Sequence, residues 1–299
     1  MSRPSRNTGH LSPFRYPGGK TWLIPRVRSW LATQPNATTF IEPFAGGASC
    51  GLAVANEGLA KVAVLGELDA SVSAVWSVLI KGSDAEVSWL CGRIATFELT
   101  LENVRAVLDT TPTNTLEVAF RTLLHNRCSR GGLTDKRAGL LSSGERGVGL
   151  GSRWYPETLV KRINAIHQLK NLVFARIDAF ELITQFSRDR DKAFFIDPPY
   201  SIGSKSAGSR LYVHHEIDHQ SLFELCSRLS GSVMMTYPND EAVVNLARQY
   251  GFSIEQIPMR STHHVEHFEL LLTKGPHEIH ATSDHHAPRN RGTGERLES

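Results

Sequence analysis

The chain has 299 residues, 40% of them hydrophobic and 21% charged, with a formal net charge of +3 at neutral pH. That size suits one large domain, or a core domain carrying an insertion, with enough apolar residues to bury a sizeable core. No apolar run approaches the ~20 residues that cross a bilayer, the opening Met-Ser-Arg-Pro-Ser-Arg has no apolar leader, and Cys50, Cys91, Cys128 and Cys226 include no Cys-x-x-Cys pair, so a cytoplasmic protein without membrane span, disulfide framework or metal site is expected.

Residues 1–30 hold six basic side chains and no acid. Within them lies Phe14-Arg15-Tyr16-Pro17-Gly18-Gly19-Lys20. A Gly-Gly turn followed by lysine can bring an ammonium against a carboxylate. It is not a phosphate loop, which needs a wider glycine spacing.

Short β-branched or aromatic runs at 39–42, 61–65, 172–176, 193–196, 232–236 and 267–273 read as strands. Helical patterns at 48–56, 70–80, 221–230 and 241–250 alternate with them, which points to an α/β fold. The first strand runs into Glu42-Pro43-Phe44-Ala45-Gly46-Gly47, a turn whose glycines let backbone approach a ligand. Glu67 follows the second strand, 21 residues after Gly46. An acid about 20 residues beyond a glycine turn takes ribose hydroxyls in nucleotide-binding folds. Asp69 reads better as a helix cap. Asp178, after the third strand, reads equally as an acceptor for an adenine amine or as a cap.

From about residue 82 to 157 this rhythm breaks. Helical patterns at 85–97 and 117–124 lead into a glycine-rich stretch containing Ser129-Arg130-Gly131-Gly132. Residues 117–162 carry nine Lys/Arg against four acids. A basic, loop-rich block of this kind reads as an insertion that meets a polyanion. Trp154 and Tyr155 read as a small local core rather than a wedge into DNA.

The fourth strand runs into Asp197-Pro198-Pro199-Tyr200. The carboxylate can accept a hydrogen bond from an exocyclic amine. Two prolines make a stiff turn, and the tyrosine offers a face on which a base can stack. His263, His264, His267 and the tail histidines lack the acid or cysteine spacing of a metal site. Residues 276–299 read as a disordered tail.

Taken in order, Phe14–Lys20, Ile41–Ser49, Glu67, Asp178 and Asp197–Tyr200 resemble the Dam-type (D12 class, alpha-group) adenine-specific DNA methyltransferases. Met234–Asn239 and His267–Leu272 resemble that family's later strands, so the likeness spans about residues 10–275. It implies an S-adenosylmethionine-dependent methyltransferase (Rossmann-like) sheet over 1–80 and 160–275, with a mainly helical, loop-rich target-recognition domain inserted at 81–159. By resemblance, Asp197, Pro198, Pro199 and Tyr200 grip the flipped adenine. The cofactor is implied to lie against Tyr16, Gly19, Lys20, Glu42, Pro43, Phe44, Ala45, Gly46, Gly47, Glu67, Asp178 and Asp197. Leu124-His125-Asn126-Arg127 resembles the start of the recognition region. Beyond it, Cys128-Ser129-Arg130-Gly131-Gly132 stands where the family has an aromatic-Asn-Gly segment. Arg15, Asn126, Arg127, Arg130 and Arg153 are the expected DNA contacts. The expected partner is double-stranded DNA, bound by a monomer or by a dimer on DNA, in a bacterial or phage setting with or without a restriction nuclease. Cytosine-N4 methylation and a regulatory SAM- and DNA-binding protein are the alternatives. A nicotinamide oxidoreductase is disfavoured by the lack of Gly-x-Gly-x-x-Gly.

Overall fold

The computed structural model describes residues 10–15, 19–130, 139–141, 149–199, 217–260 and 266–275. Tyr16, Tyr200, His263, His264, the glycine-rich stretches 131–138 and 142–148, and the tail 276–299 lie outside the described residues.

A 3₁₀ turn, Lys20–Leu23, leads into α1 (Ile24–Ala32). Then come β1 (Thr39–Glu42), α2 (Ser49–Glu57), β2 (Val62–Gly66) and α3 (Ala70–Lys81). Four helices follow without a strand: α4 (Asp84–Thr96), α5 (Leu101–Asp109), α6 (Thr115–Cys128) and α7 (Pro156–His167). The chain closes with β3 (Leu172–Ala175), α8 (Ala179–Gln185), β4 (Lys192–Ile196), α9 (His219–Ser227), β5 (Ser232–Pro238), α10 (Glu241–Gln249), β6 (Ser253–Arg260) and β7 (Glu266–Lys274).

The described strands form one seven-stranded sheet in the order β3-β2-β1-β4-β5-β7-β6. β1 pairs in parallel with both β2 and β4, and β7 runs antiparallel to both of its neighbours. This is the expected doubly wound α/β sheet. Chain order departs in opposite directions from β1 and β4, which makes the crevice at their carboxyl ends the switch point where such sheets bind ligands.

Strand side chains alternate between two helix layers. Phe40, Leu65, Phe195, Met234 and Leu271 pack with Val27, Trp30, Trp76, Leu123 and Ile163 on one face. Ile41, Val64, Phe194, Ile196 and Met235 pack with Leu182, Phe223 and Val243 on the other. Near-continuous apolar strands such as Lys192–Ile196 follow from burial on both faces.

Helix starts obey their caps. Asp69 accepts from Ser71 N and Val72 N, and Asp218 accepts from Ser221 N. Ser83 and Glu86 form a reciprocal capping box at α4. The six expected strands all lie within two residues of their expected limits. β6 was not expected, because Pro258 interrupts a mixed polar run. A proline is tolerated there since, among the described strands, β6 lies at the edge and pairs with β7 alone. α1 and α7 open on Pro25 and Pro156, which suit a helix's first turn.

The helices between β2 and β3 do not form a core of their own among the described residues. Leu90, Ile94, Phe120 and Leu123 lie in the same apolar cluster as Trp76 and Phe40. Trp154 packs edge-on to Phe97 and Phe120, while Tyr155 is exposed. The segment is therefore welded to the sheet rather than tethered to it.

Candidate functional site

The site is built at the carboxyl ends of β1, β2, β4, β5 and on the facing end of β7. After β1 the chain turns sharply: Gly46 has φ +47° and Ala48 has φ +50°. A left-handed non-glycine residue costs of order 1 kcal/mol and persists only where its surroundings impose it. Here Ala45 N donates to Gly66 O at 2.9 Å, and Trp76 Nε1 donates to Gly46 O at 3.0 Å. Gly46 N donates to Glu67 Oε2 at 3.0 Å. The turn is thus fixed before any ligand arrives, with Gly46 and Gly47 half-exposed.

Glu67 ties this turn to the next loop, since its Oε1 accepts from Asp69 N at 2.9 Å. Burial pushes its carboxyl up to about 7, against the pull of those backbone donors. Each carboxylate oxygen has two lone pairs, so both can also receive hydroxyl donors.

Glu42 is enclosed. Its Oε2 accepts from Gly51 N at 2.7 Å, and burial pushes its carboxyl up to about 8. A Cβ on Gly51 would lie 2.5 Å from that oxygen, so α2 comes this close only because residue 51 is glycine. Glu42, expected against the cofactor, has its carboxyl enclosed here as a prop under the turn. Pro43 and Ala45 are buried as well, and Phe44 is partly buried in the second apolar cluster.

Asp197 leaves β4 at the switch point. Its Oδ1 accepts from Thr236 Oγ1 at 2.7 Å and lies 3.2 Å from Lys20 Nζ. The same Nζ lies 3.5 Å from Glu269 Oε2. Burial pulls the Lys20 ammonium down, but Asp197 and Glu269 together outweigh it and raise the group. Burial raises Glu269, opposed by Lys20. The turn carrying Gly19 and Lys20 does place an ammonium against a carboxylate, and Asp197 is that carboxylate. Thr236 and Glu269 were not singled out in the sequence. A lone acid in the run His267-Phe268-Glu269-Leu270-Leu271-Leu272 was the available signal, because a charge on a buried strand needs a partner.

Pro198 is buried and Pro199 half-buried behind Asp197. At the end of β5, Tyr237 Oη lies 2.9 Å from His219 Nδ1 at the start of α9. Asp178 sits at the end of β3, exposed, and caps α8 by accepting from Phe180 N and Glu181 N.

The expected DNA contacts divide. Asn126 is fully buried: its Oδ1 accepts from Arg15 N at 2.8 Å and its Nδ2 donates to Arg15 O at 3.0 Å. Arg127 is 5% exposed, and its Nε and Nη2 both donate to Pro13 O. Burial lowers it to about 10, with Arg162 and Arg15 adding repulsion. Arg153 is buried and donates to Ser129 O at 3.2 Å. Asn126, Arg127 and Arg153, expected against DNA, are buried here and make these hydrogen bonds to backbone inside the fold. Asn126 and Arg127, with Arg162, which donates to Ser12 O at 2.9 Å, clamp residues 12–15. Arg130 is exposed and Arg15 half-exposed, so these two reach the surface.

Among the described residues there is no group of three or more His, Cys, Asp or Glu that could hold a metal. Nor is any described helix long and apolar enough to cross a membrane.

Residues 16–66 match the family of D12 class N6 adenine-specific DNA methyltransferases. No curated protein matches the chain. Solved structures matched by the chain include a putative RNA methyltransferase, PH1948, from Pyrococcus horikoshii (10% identity, 87% of this chain and 84% of that one, TM-score 0.38). They also include precorrin-6y C5,15-methyltransferase from Geobacter metallireducens GS-15 (11% identity, 84% and 86%, TM-score 0.36). A third is magnesium protoporphyrin IX methyltransferase from Synechocystis PCC 6803 with bound SAM (10% identity, 86% and 81%, TM-score 0.36). At these values the likeness says nothing about substrate or residue roles. The family match covers the Gly-Gly-Lys turn, β1, the glycine turn and β2, and with it the chain is an enzyme of the methyltransferase class that uses S-adenosylmethionine.

Proposed function

We propose that this S-adenosylmethionine-dependent methyltransferase methylates N6 of an adenine swung out of duplex DNA. The observation that carries the reading is Asp197, held at the switch point by Thr236 and Lys20 beside the glycine turn. The D12 family match over residues 16–66 supports the same substrate.

The residues present fit the cofactor. Gly46 and Gly47 leave an approach without Cβ atoms, and the fixed turn presents Glu67 beside it. Glu67 would accept ribose hydroxyls, and Asp178 would lie near the adenine with its cap intact. Gly19 and Lys20 would close the pocket on the side of Asp197. When bound, S-adenosylmethionine supplies an electrophilic methyl group carried on a sulfonium.

Asp197 and the Pro198 carbonyl would accept hydrogen bonds from the target amine. Those bonds draw the nitrogen toward tetrahedral geometry and aim its lone pair, which is otherwise delocalised into the ring. Asp197 is also the base on that hydrogen bond for the proton the amine loses. Positioning and fixed charge perform this chemistry without a covalent enzyme intermediate. Extracting the base costs a few kcal/mol, part of which Tyr200 would return by stacking.

Residues 1–80 and 160–275 are proposed as the catalytic part and 81–159 as the target-recognition part. Arg130 and Arg15, which reach the surface, are the proposed phosphate contacts there. With a DNA substrate, the proposed setting is cytoplasmic and nucleoid-associated, for a bacterial or phage-encoded enzyme.

The test is methyl transfer from labelled S-adenosylmethionine to duplex DNA, followed by digestion to nucleosides. N6-methyladenosine of the deoxy series is expected. Label in a cytosine, or only in RNA, would overturn the substrate assignment.

A further inference from the structure

α3 reaches into the site with two side chains. Ser73 Oγ donates to Glu67 O at 2.9 Å, and Trp76 Nε1 donates to Gly46 O at 3.0 Å. Three positions apart on a helix, the two share one face, and both side chains are buried. One helix face therefore grips two separate pieces of chain: the turn that leaves β1 and the acid that follows β2. The two pieces also meet directly, Gly46 N donating to Glu67 Oε2 at 3.0 Å. An aromatic ring at position 76 already packs against Phe14, with ring centroids 5.5 Å apart. What the indole adds is its N–H. Burial obliges that N–H to find a partner, and the partner here is the carbonyl of Gly46, whose φ is +47°.

We infer that Trp76 and Ser73 are positioning residues for the methyl donor, holding the glycine turn and Glu67 in fixed register before the donor binds. This rests on the proposed donor site at Gly46, Gly47 and Glu67. The two side chains act through the backbone of Gly46 and Glu67. The register needs such holding because Ala48, two residues after Gly46, has φ +50°. A left-handed alanine relaxes unless its surroundings impose the conformation. A turn that is free to relax must be ordered again when the donor binds, and that cost appears as lost affinity. α3 is thus part of the donor site although it lies a strand and a loop away from the glycines in sequence.

The experiment is calorimetric titration of S-adenosylhomocysteine into wild type, Trp76→Phe, Ser73→Ala, Glu67→Ala and Ile163→Ala, with the melting temperature of each. Trp76→Phe keeps a ring against Phe14 and removes the donor, and Ser73→Ala removes a hydroxyl alone. Each is expected to weaken the ligand by about fivefold, the effect of one hydrogen bond. Ile163 is buried in the same apolar cluster but on α7, so Ile163→Ala measures destabilisation by itself. It is expected to lower the melting temperature and to keep the wild-type affinity. Wild-type affinity in Trp76→Phe or in Ser73→Ala, or an equal loss in Ile163→Ala, would overturn the inference. Should Trp76→Phe not fold, Ser73→Ala decides alone. Glu67→Ala tests the underlying reading: weakened binding is expected, and unchanged binding there would sink the donor-site assignment and the inference with it.

Discussion

Arg127→Ala separates a brace from a DNA contact. Arg127 gives two charge-assisted hydrogen bonds to Pro13 O from a position 5% exposed. Such bonds contribute about 1.5–3 kcal/mol each, hence about 3–6 kcal/mol together. Burial of the guanidinium, which brings it down to about 10, offsets about 3 kcal/mol of this. Truncation also strands the Pro13 carbonyl, at about 1–3 kcal/mol. The net loss is about 1–6 kcal/mol, which lowers the melting temperature by about 2–10 °C in a protein of this size. Affinity for DNA is measured across a salt series on the same samples. A residue that neutralises no phosphate leaves the slope of log K against log salt unchanged, whereas losing one phosphate contact reduces it by about 0.9. Unaltered melting together with a reduced slope would refute the reasoning and return Arg127 to the DNA interface.

Three further outcomes are expected. Asp197→Asn removes methyl transfer while S-adenosylhomocysteine binding stays at the wild-type level; retained turnover would contradict the role of the carboxylate. Thr236→Val replaces the hydroxyl that donates to Asp197 Oδ1 by a methyl group of the same shape. A loss of about 1 kcal/mol of orientation should lower kcat by about fivefold with the fold intact, and an unchanged kcat would show that Thr236 does not hold Asp197. Glu42 and Glu67 have folded values raised to about 8 and about 7, so the folded protein binds more protons than the unfolded chain above about pH 4.5. Stability should therefore fall as pH rises from about 5 to 8; Glu42→Gln should flatten that slope in urea titrations, and an unchanged slope would place the titration elsewhere.

The sheet was largely legible because its strands are buried on both faces and read as short apolar runs with clear limits. β6 escaped because Pro258 and its polar neighbours look unlike a strand, and an edge position tolerates them. At the site, the Gly-Gly-Lys turn announced an ammonium near a carboxylate. Which carboxylate depended on the pairing of β1 with β4. Thr236 and Glu269 lie on strands whose apolar neighbours hide them; Thr236 meets Asp197 through the pairing of β5 with β4, and Glu269 meets Lys20 through that of β7 with β5. The basic count of the inserted segment pointed toward DNA without saying where each guanidinium ends. Arg127 and Arg153 end on backbone carbonyls, a fate that local charge cannot reveal. Asp178 caps α8 and stands exposed after β3.

The central claim is tested most directly by expressing the protein in cells that lack DNA methylation and sequencing their DNA with single-molecule detection of modified bases. N6-methyladenine confined to one short motif, and absent with Asp197→Asn, is the expected result. N4-methylcytosine in its place, or unmodified DNA alongside a purified protein that binds S-adenosylmethionine, would contradict it.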